Sequence, residues 1–218
     1  IVIRAADRLN IGTDELTGVQ KFHTHRVSRL GGIPVYVALI SSLLLLAWAL
    51  PIYKIASAFL IVCLLPVFGI GLLEDVTRKV GASTRLLVAM IAALLGWWLF
   101  NGVGLHRIGL DPVDAFLAEH AWAALAMTVM AVSGAAHGLN IIDGCNGLSG
   151  FFIMAALGAI ALVALNVGDL FVLHTSLLAL GATLGFFLWN FPRGRIFLGD
   201  SGAYMMGAPA GVVGDRIS

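Results

Sequence analysis

The sequence predicts an all-α integral membrane protein, a polytopic bundle of about seven transmembrane helices of which the last is incomplete. Of its 218 residues, 60% are hydrophobic and only 11% are charged, and the mean hydropathy is +0.98. A soluble domain carries roughly a quarter of its residues as charged side chains. Apolar runs close to the ~20 residues that a bilayer requires recur along the chain. These features exclude an ordinary soluble enzyme, and we expect no nucleic-acid partner.

Polar breaks define the spans in order. A basic segment precedes the first run, a break beginning at Pro51 ends it, and Glu74 and Asp75 stop the second. A polar loop follows each of the third and fourth runs, and a tight turn, 166–169, follows the fifth. The predicted spans are 33–52, 55–73, 86–100, 121–142, 148–165, 170–189 and the beginning of one at 203–213.

The chain ends suggest its extent. It starts with Ile rather than Met and stops soon after Asp200 within an apolar run. We therefore expect residues 1–218 to form a single integral membrane domain that is truncated at both ends. Cys63 lies in an apolar run and Cys145 in a polar loop, so neither a disulfide nor a cysteine metal site is expected.

The distribution of basic residues predicts the topology. Segments 1–32, 74–85, 143–147 and 190–202 would share one face, and they hold ten of the 13 Lys and Arg residues. Only Lys54, Arg107 and Arg216 fall on the other face. The positive-inside rule makes the first face cytoplasmic. Since each polar cluster that could carry chemistry lies in these four segments, we expect them to meet.

The pair Glu74-Asp75 follows the second run. Adjacent carboxylates at a helix C-terminus oppose the helix dipole, so a divalent metal ion or a cationic cluster is expected to compensate them. The alternative is a pair of solvated loop carboxylates.

A compact polar turn follows the fourth run, in the sequence N-I-I-D-G-C-N-G-L. Asn140 and Asp143 are three residues apart and share a helix face. The dipeptides beginning at Asp143 and Asn146 are both turn signals. An ordinary interhelical turn uses the same residues. However, the amide of Asn140 within the last turn of a membrane helix requires a partner, which favours a functional site.

The segment N-F-P-R-G-R-I-F-L-G-D-S-G, residues 190–202, is the most informative. Arg193 and Arg195 precede Asp200 by seven and five residues, and small residues surround that carboxylate. Such a carboxylate suits a metal ion, the flexible backbone suits an oxyanion, and the arginines suit phosphate charge. A polar turn between two membrane helices is the alternative.

The segment before the first span is basic. His23 and His25 could bind a metal ion, but residues in such a position, Arg29 among them, are more often solvated or in contact with anionic lipid. Gly31-Gly32 permits close backbone approach. His137, within the fourth span, is either a buried core histidine or a site residue.

Four motifs in order resemble the polyprenyl-phosphate N-acetylhexosamine-1-phosphate transferases, a family that includes the phospho-N-acetylmuramoyl-pentapeptide transferases. The motifs are K-F-H-T-H-R-V-S-R-L-G-G, G-L-L-E-D-V-T-R-K, L-N-I-I-D-G-C-N-G-L and N-F-P-R-G-R-I-F-L-G-D-S-G. Each is modest alone, but the four cover nearly the whole chain and fall on one predicted membrane face.

The resemblance implies a phospho-glycosyltransferase. Such an enzyme transfers a sugar 1-phosphate, here an N-acetylhexosamine or a derivative, from a UDP-sugar to undecaprenyl phosphate. The products are undecaprenyl-diphosphate-sugar and UMP. It also implies Mg²⁺, or Mn²⁺ as the alternative, as cofactor and a multi-pass protein of the bacterial inner membrane with a cytoplasmic site. The reaction would be the first membrane step of O-antigen (lipopolysaccharide) or other cell-envelope polysaccharide synthesis. The resemblance is also compatible with a homodimer.

The resemblance also implies roles for individual residues. Asp200 would bind the metal ion, and Phe197 would stack on uracil. Glu74 and Asp75 would lie at the acceptor phosphate, and Asp143 at the nucleotide-sugar. Substrate contacts are expected from Asn140, Asn146, Arg78, Arg85, Arg193, Arg195, Asn190, His23 and Arg29.

Three departures from the family pattern stand out. Glu74 replaces the first Asp of the usual pair, and Asn146 replaces the second Asp of the polar turn. A later histidine-rich loop and a helix before residue 1 have no counterpart in this sequence. A sugar-specific subgroup would explain the substitutions.

Two other classes compete with the transferase. An intramembrane aspartyl protease also uses a Gly-Asp pair, but the required Tyr-Asp pair is absent. A membrane transporter would place its carboxylates near mid-bilayer in broken helices, whereas these acids are predicted at helix ends.

Overall fold

The computed structural model describes residues 27–214, which form a bundle of α-helices. A 3₁₀ turn, Pro51–Tyr53, joins the first two helices, and a parallel bridge links Ser28 to Ile196. The helices are α1 (Gly32–Ala49), α2 (Lys54–Thr77), α3 (Ala82–Leu99), α4 (Asp111–Glu119), α5 (Ala121–Ile142), α6 (Leu148–Val167), α7 (Leu170–Asn190) and α8 (Gly199–Gly214).

Six of these helices are long and apolar enough to cross a bilayer: α1, α2 with its preceding 3₁₀ turn, α3, α5, α6 and α7. This confirms the predicted class of polytopic helical membrane protein. The seventh predicted span corresponds to α8, which has 16 residues in the described part of the chain.

The outer surface of the bundle is apolar. Trp48, Trp98 and Trp122 are 79%, 75% and 66% exposed, and they lie at the end of α1, the end of α3 and the start of α5. These three helix ends share one side of an alternating bundle. Tryptophan is enriched where a membrane meets water, so this end matches an interfacial belt.

Helix α8 occupies the centre. It packs against α1, α2 and α5, and Ala203, Tyr204 and Met205 on it are fully buried. The apolar core continues from it between α1, α2 and α7, through residues such as Leu39 and Phe186. The first turn of α8 is therefore enclosed by several helices.

Three boundaries differ from those the sequence predicts. Helix α2 continues through Glu74 and Asp75 to Thr77, and α8 begins at Gly199 rather than at 203. Helix α3 begins at Ala82, so Arg85 belongs to its first turn. The loop 101–120 contains the short helix α4, whose first turn carries two acids and a proline, as helix starts often do.

Candidate active site

Three buried carboxylates surround the N-terminus of α8. Asp75 comes from the last turn of α2, Asp143 from the end of α5, and Asp200 from the first turn of α8. Their exposed fractions are only 2%, 7% and 2%. The polar segments at 74–85, 140–149 and 190–202 therefore meet at one end of the bundle. This agrees with the predicted topology, in which they share one face.

Two of these carboxylates bind the backbone N–H groups that begin α8. Asp75 Oδ1 accepts a hydrogen bond from the Asp200 N–H at 2.8 Å, and its Oδ2 accepts one from the Ser201 N–H at 2.9 Å. Asp143 Oδ2 accepts from the Gly199 N–H at 2.8 Å. The first N–H groups of a helix lack intrahelical partners and carry partial positive charge, which favours anions there. We call this arrangement of Asp75 and Asp143 on α8 the carboxylate clasp.

The clasp explains the acidic pair. The compensating positive charge for Asp75 is the N-terminus of another helix, where the sequence suggested a metal ion or a cationic cluster. Glu74 is only half-buried, and its Oε2 accepts a hydrogen bond from the Val80 N–H at 2.7 Å. The two adjacent acids therefore have different surroundings, and only Asp75 has both oxygens bound to the backbone of α8.

The side chain of Asp200 faces positive and amide groups. Its Oδ1 pairs with the guanidinium of Arg85, whose side chain is 11% exposed. The side chain of Asn140 hydrogen-bonds Asp200, and the positive charge of Arg29 acts on it as well. Asp200 is thus fixed through its backbone by the clasp and through its carboxylate by Arg85.

Asp143 lies outside the spans, and its surroundings perturb its titration. Burial raises the pKa of Asp143 to about 7, although the Ser149 hydroxyl, the Gly199 N–H and the charge of Arg29 act in the opposite direction. The Ser149 Oγ donates to Asp143 Oδ1 at 2.6 Å. Its ionisation therefore changes near neutral pH.

Asn190 connects the two loops beside the clasp. Its Oδ1 accepts from the Gly147 N–H at 2.5 Å and its Nδ2 donates to the Ile196 carbonyl at 2.8 Å. Asn146 reinforces the connection, because its Nδ2 donates to the Pro192 carbonyl at 3.2 Å. Asn190 is fully buried, so it holds the loops together and does not face solvent.

Phe197 is part of the interior. It is 4% exposed, its N–H donates to the Ser28 carbonyl at 2.8 Å, and its carbonyl accepts from the Gly31 N–H at 2.9 Å. The Gly31-Gly32 segment lies directly against this loop, which is the close backbone approach that the sequence suggested. The ring is covered by protein, whereas stacking on uracil requires an open face.

The remaining basic residues lie farther out. Arg78, Arg193 and Arg195 are exposed, and the Arg195 guanidinium lies 5.8 Å from the centroid of the Trp189 ring. Arg78 ends α2 in a left-handed conformation with φ 54°. Arg85, one of the arginines predicted to bind phosphate, pairs with Asp200 beside the clasp, while His23 lies outside the described residues.

Two residues of this region, Tyr204 and His137, form a pair that the sequence alone does not predict. The Tyr204 hydroxyl lies 2.7 Å from His137 Nδ1, and the Arg85 guanidinium lies 5.5 Å from the Tyr204 ring centroid. Tyr204 follows Asp200 by four residues, so both occupy one face of α8. That spacing is the signal that the sequence carries for a shared site, but a tyrosine in an apolar run is typical of a buried core residue.

The donor set suits a metal ion only when the substrate also coordinates it. Among the described residues, no group of three or more His, Cys, Asp or Glu side chains could hold a metal ion. Mg²⁺ is commonly bound by one or two carboxylates together with water and substrate phosphates, and Asp200 provides one such carboxylate. Asp75 and Asp143 are less suitable because their oxygens accept the backbone N–H groups that begin α8, whereas the carboxylate of Asp200 is engaged by the side chains of Arg85 and Asn140.

Comparison with known proteins agrees with the resemblance of the four sequence motifs to a transferase family. The model of glycosyl transferase family 4 matches residues 57–214. A probable undecaprenyl-phosphate N-acetylglucosaminyl 1-phosphate transferase of Bacillus subtilis is 27% identical over 206 residues, covering 91% of this chain and 54% of the relative. A phospho-N-acetylmuramoyl-pentapeptide-transferase of Halalkalibacterium halodurans is 24% identical over 185 residues, covering 82% of this chain and 57% of the relative.

The chain thus spans somewhat more than half the length of these curated relatives. The matched region contains α2 to α8 almost completely, together with the clasp and the Arg85–Asp200 pair. By this match over most of its length, the chain belongs to glycosyl transferase family 4.

Proposed function

We propose that this chain forms the membrane core of a phospho-glycosyltransferase. The reaction transfers a sugar 1-phosphate, of an N-acetylhexosamine or a derivative, from a UDP-sugar to undecaprenyl phosphate. The products are undecaprenyl-diphosphate-sugar and UMP. The proposed place is the cytoplasmic face of the bacterial inner membrane, at the first membrane step of O-antigen or other cell-envelope polysaccharide synthesis. Residues 1–218 act as a single membrane domain.

One observation carries the proposal: a carboxylate paired with an arginine, both fixed by helix packing, lies at the end of a membrane bundle. Transfer of a phosphoryl group between two anions depends on neutralised charge and on an in-line arrangement. Arg85 and Arg29 supply positive charge near Asp200. A site at the membrane surface suits a lipid acceptor and a soluble nucleotide donor.

The bond changes are those of a phosphoanhydride exchange, in which one diphosphate linkage is broken and another is formed. An oxygen of the lipid phosphate attacks the phosphorus that carries the sugar, and the bond from that phosphorus to UMP breaks. Of the acidic pair, Glu74 is proposed to face the acceptor, since Asp75 has both oxygens occupied. Asp75 and Asp143 then keep Asp200 in place, and Arg85 contacts a phosphate of the donor.

A Mg²⁺ ion, or Mn²⁺, would be held by Asp200 together with phosphate oxygens, and when bound it supplies neutralisation of the phosphate charge. Asn140 already bonds to Asp200 and would orient that carboxylate. The more remote Arg78, Arg193 and Arg195 are proposed to attract the anionic substrates, because they are exposed around the same end of the bundle.

The direct test incubates membranes containing the protein with radiolabelled UDP-N-acetylhexosamines, undecaprenyl phosphate and Mg²⁺. We expect a radiolabelled lipid and an equal amount of UMP, both abolished by a chelator. Release of UDP in place of UMP would indicate ordinary glycosyl transfer and would contradict the proposed bond cleavage. Absence of lipid-linked product with every such donor would reject the proposed substrates.

A further inference from the structure

Arg85 is held from two directions by one face of α8. Its guanidinium pairs with Asp200 Oδ1, and it also lies over the ring of Tyr204, 5.5 Å from the centroid. These two partners are four residues apart on the helix, so a single turn of α8 presents both. The position of the guanidinium is thus set by one rigid element.

Tyr204 is itself fixed. It is fully buried, and its hydroxyl shares a hydrogen bond of 2.7 Å with His137 Nδ1 on α5. Helices α5 and α8 pack closely against each other. The bond restricts rotation of the ring about its last side-chain torsion, whichever of the two groups donates the proton. Three helices, α3, α5 and α8, therefore contribute to one ordered series of contacts.

The guanidinium still has a hydrogen-bonding capacity that the described residues do not use. The Nε–H of Arg85 is buried and has no hydrogen-bond partner among them. A buried donor without an acceptor is costly, so such a group in a native structure asks for an explanation. A planar guanidinium is suited to phosphate oxygens, and a phosphate on this edge would satisfy the free N–H.

We infer that Tyr204 and His137 are positioning residues, which hold the Arg85 guanidinium in the orientation that binds a phosphate of the substrate. Tyr204 acts through the attraction of its ring for the cation, and His137 acts through the orientation of that ring. This inference rests on the proposed function for the identity of the substrate, but the anion-binding property can be measured without any transfer.

The test measures the binding of inorganic pyrophosphate with Mg²⁺ by titration calorimetry on the detergent-solubilised protein. We expect Tyr204→Leu to raise the Kd about tenfold, the scale of a buried cation–aromatic contact. In an Arg85→Gln background, where the Kd is already raised, the same Tyr204 change should alter it less than twofold. A residue that acts through Arg85 has no effect once Arg85 is gone.

A structural role would give a different pattern. If Tyr204→Leu raised the Kd by the same factor in both backgrounds, or not at all in the first, the inference would be overturned. Phe171→Leu is the matched control, because Phe171 is also buried and aromatic but lies beside Tyr53 at the opposite end of the bundle. It should leave the Kd unchanged in both backgrounds.

Milder variants cover the case in which Tyr204→Leu does not fold. Tyr204→Phe keeps the ring and loses the bond to His137, so we expect a rise in Kd of about two- to fivefold, the scale of one hydrogen bond. His137→Ala should raise the Kd by the same factor as Tyr204→Phe, and the two changes together should raise it no further. Additive effects of these two changes would contradict the role of His137. Failure of the unaltered protein to bind pyrophosphate would refute the anion site itself, whereas pyrophosphate binding without sugar transfer would refute only the proposed reaction.

Discussion

Glu74 and Asp75 are adjacent, yet their environments assign them different tasks. Asp75 accepts two N–H groups of α8, while Glu74 accepts the Val80 N–H and is half-buried. An amide at position 75 would direct an NH₂ group at a backbone donor, leaving a buried hydrogen bond unmade. We expect Asp75→Asn to reduce the free energy of unfolding by about 2 kcal/mol and also to reduce transfer.

Glu74→Gln is the matched variant for this comparison. Its amide oxygen can still accept the Val80 N–H, so stability should change by less than about 0.5 kcal/mol. Transfer should fall, since the proposed acceptor-facing charge is lost. Thermal denaturation in detergent, followed beside initial rates of lipid-linked product, separates the two effects. Equal loss of stability in both variants would count against the clasp.

The raised pKa of Asp143 predicts that the stability of the folded protein depends on pH. Its pKa is about 7 in the folded protein against an ordinary value of 3.8, so the folded state binds this proton more tightly than the unfolded state does. The stabilisation is therefore complete below about pH 4 and is lost as the pH rises through 7. Between pH 6 and pH 8 the loss amounts to about 1.4 kcal/mol.

Asp143→Asn removes this titration. We expect the melting temperature, measured in detergent with a chelator, to decline more steeply from pH 6 to pH 8 for the unaltered protein than for the variant. Subtraction of the two curves cancels the other titrating groups. Parallel curves would mean that Asp143 does not change its ionisation in this range.

At the scale of elements, the position of α8 depends on its close approach to α2. A Cβ atom on Gly71 would lie 2.5 Å from Ser201 Cα and 2.6 Å from Ser201 N. Gly71 precedes Asp75 by four residues, so the same face of α2 supplies the contact and the clasp. Small residues permit such approaches between membrane helices.

Gly71→Ala should therefore separate the two helices and lengthen the hydrogen bonds of Asp75. We expect a loss of about 1 to 3 kcal/mol of stability, as for overpacked cores, and reduced transfer. Gly69→Ala is the control, since a Cβ there meets nothing within 4 Å. Denaturation midpoints in detergent should differ between the two variants, and indistinguishable midpoints would show that the contact can relax.

The difference between local properties and long-range contacts explains which elements can be predicted from the sequence. The length of the apolar runs predicts the six spans, because length and hydropathy are local properties of the sequence. The sequence predicts the start of α8 four residues late, because Gly-Asp-Ser-Gly is typical of a loop and its first hydrogen bonds come from Asp75 and Asp143 in distant parts of the chain. The helix dipole predicts a positive partner for adjacent carboxylates at a helix C-terminus, and for Asp75 that partner is the N-terminus of another helix, which the sequence alone does not identify.

For the whole molecule, the distribution of basic residues along the sequence predicts which polar segments share one face. The structure brings these segments together around Asp200. The acids lie in the terminal turns of α2, α5 and α8 rather than at mid-helix, which disfavours a transporter with a central carboxylate relay. The contacts of Tyr204 with Arg85 and His137 could not be read from the sequence, because they depend on how three helices pack. The burial of Phe197 likewise follows from tertiary pairing with the segment at 28–31.

We propose that the clasp presents Asp200 for metal-dependent phosphoryl transfer at the end of the bundle. The most direct measurement compares the unaltered protein with Asp200→Asn, at equal amounts in the membrane, for UMP release and lipid-linked sugar with undecaprenyl phosphate, a UDP-N-acetylhexosamine and Mg²⁺. We expect at least a hundredfold loss of product in the variant, the scale for removal of one preorganised electrostatic group. Undiminished product from a correctly inserted Asp200→Asn protein would contradict the claim.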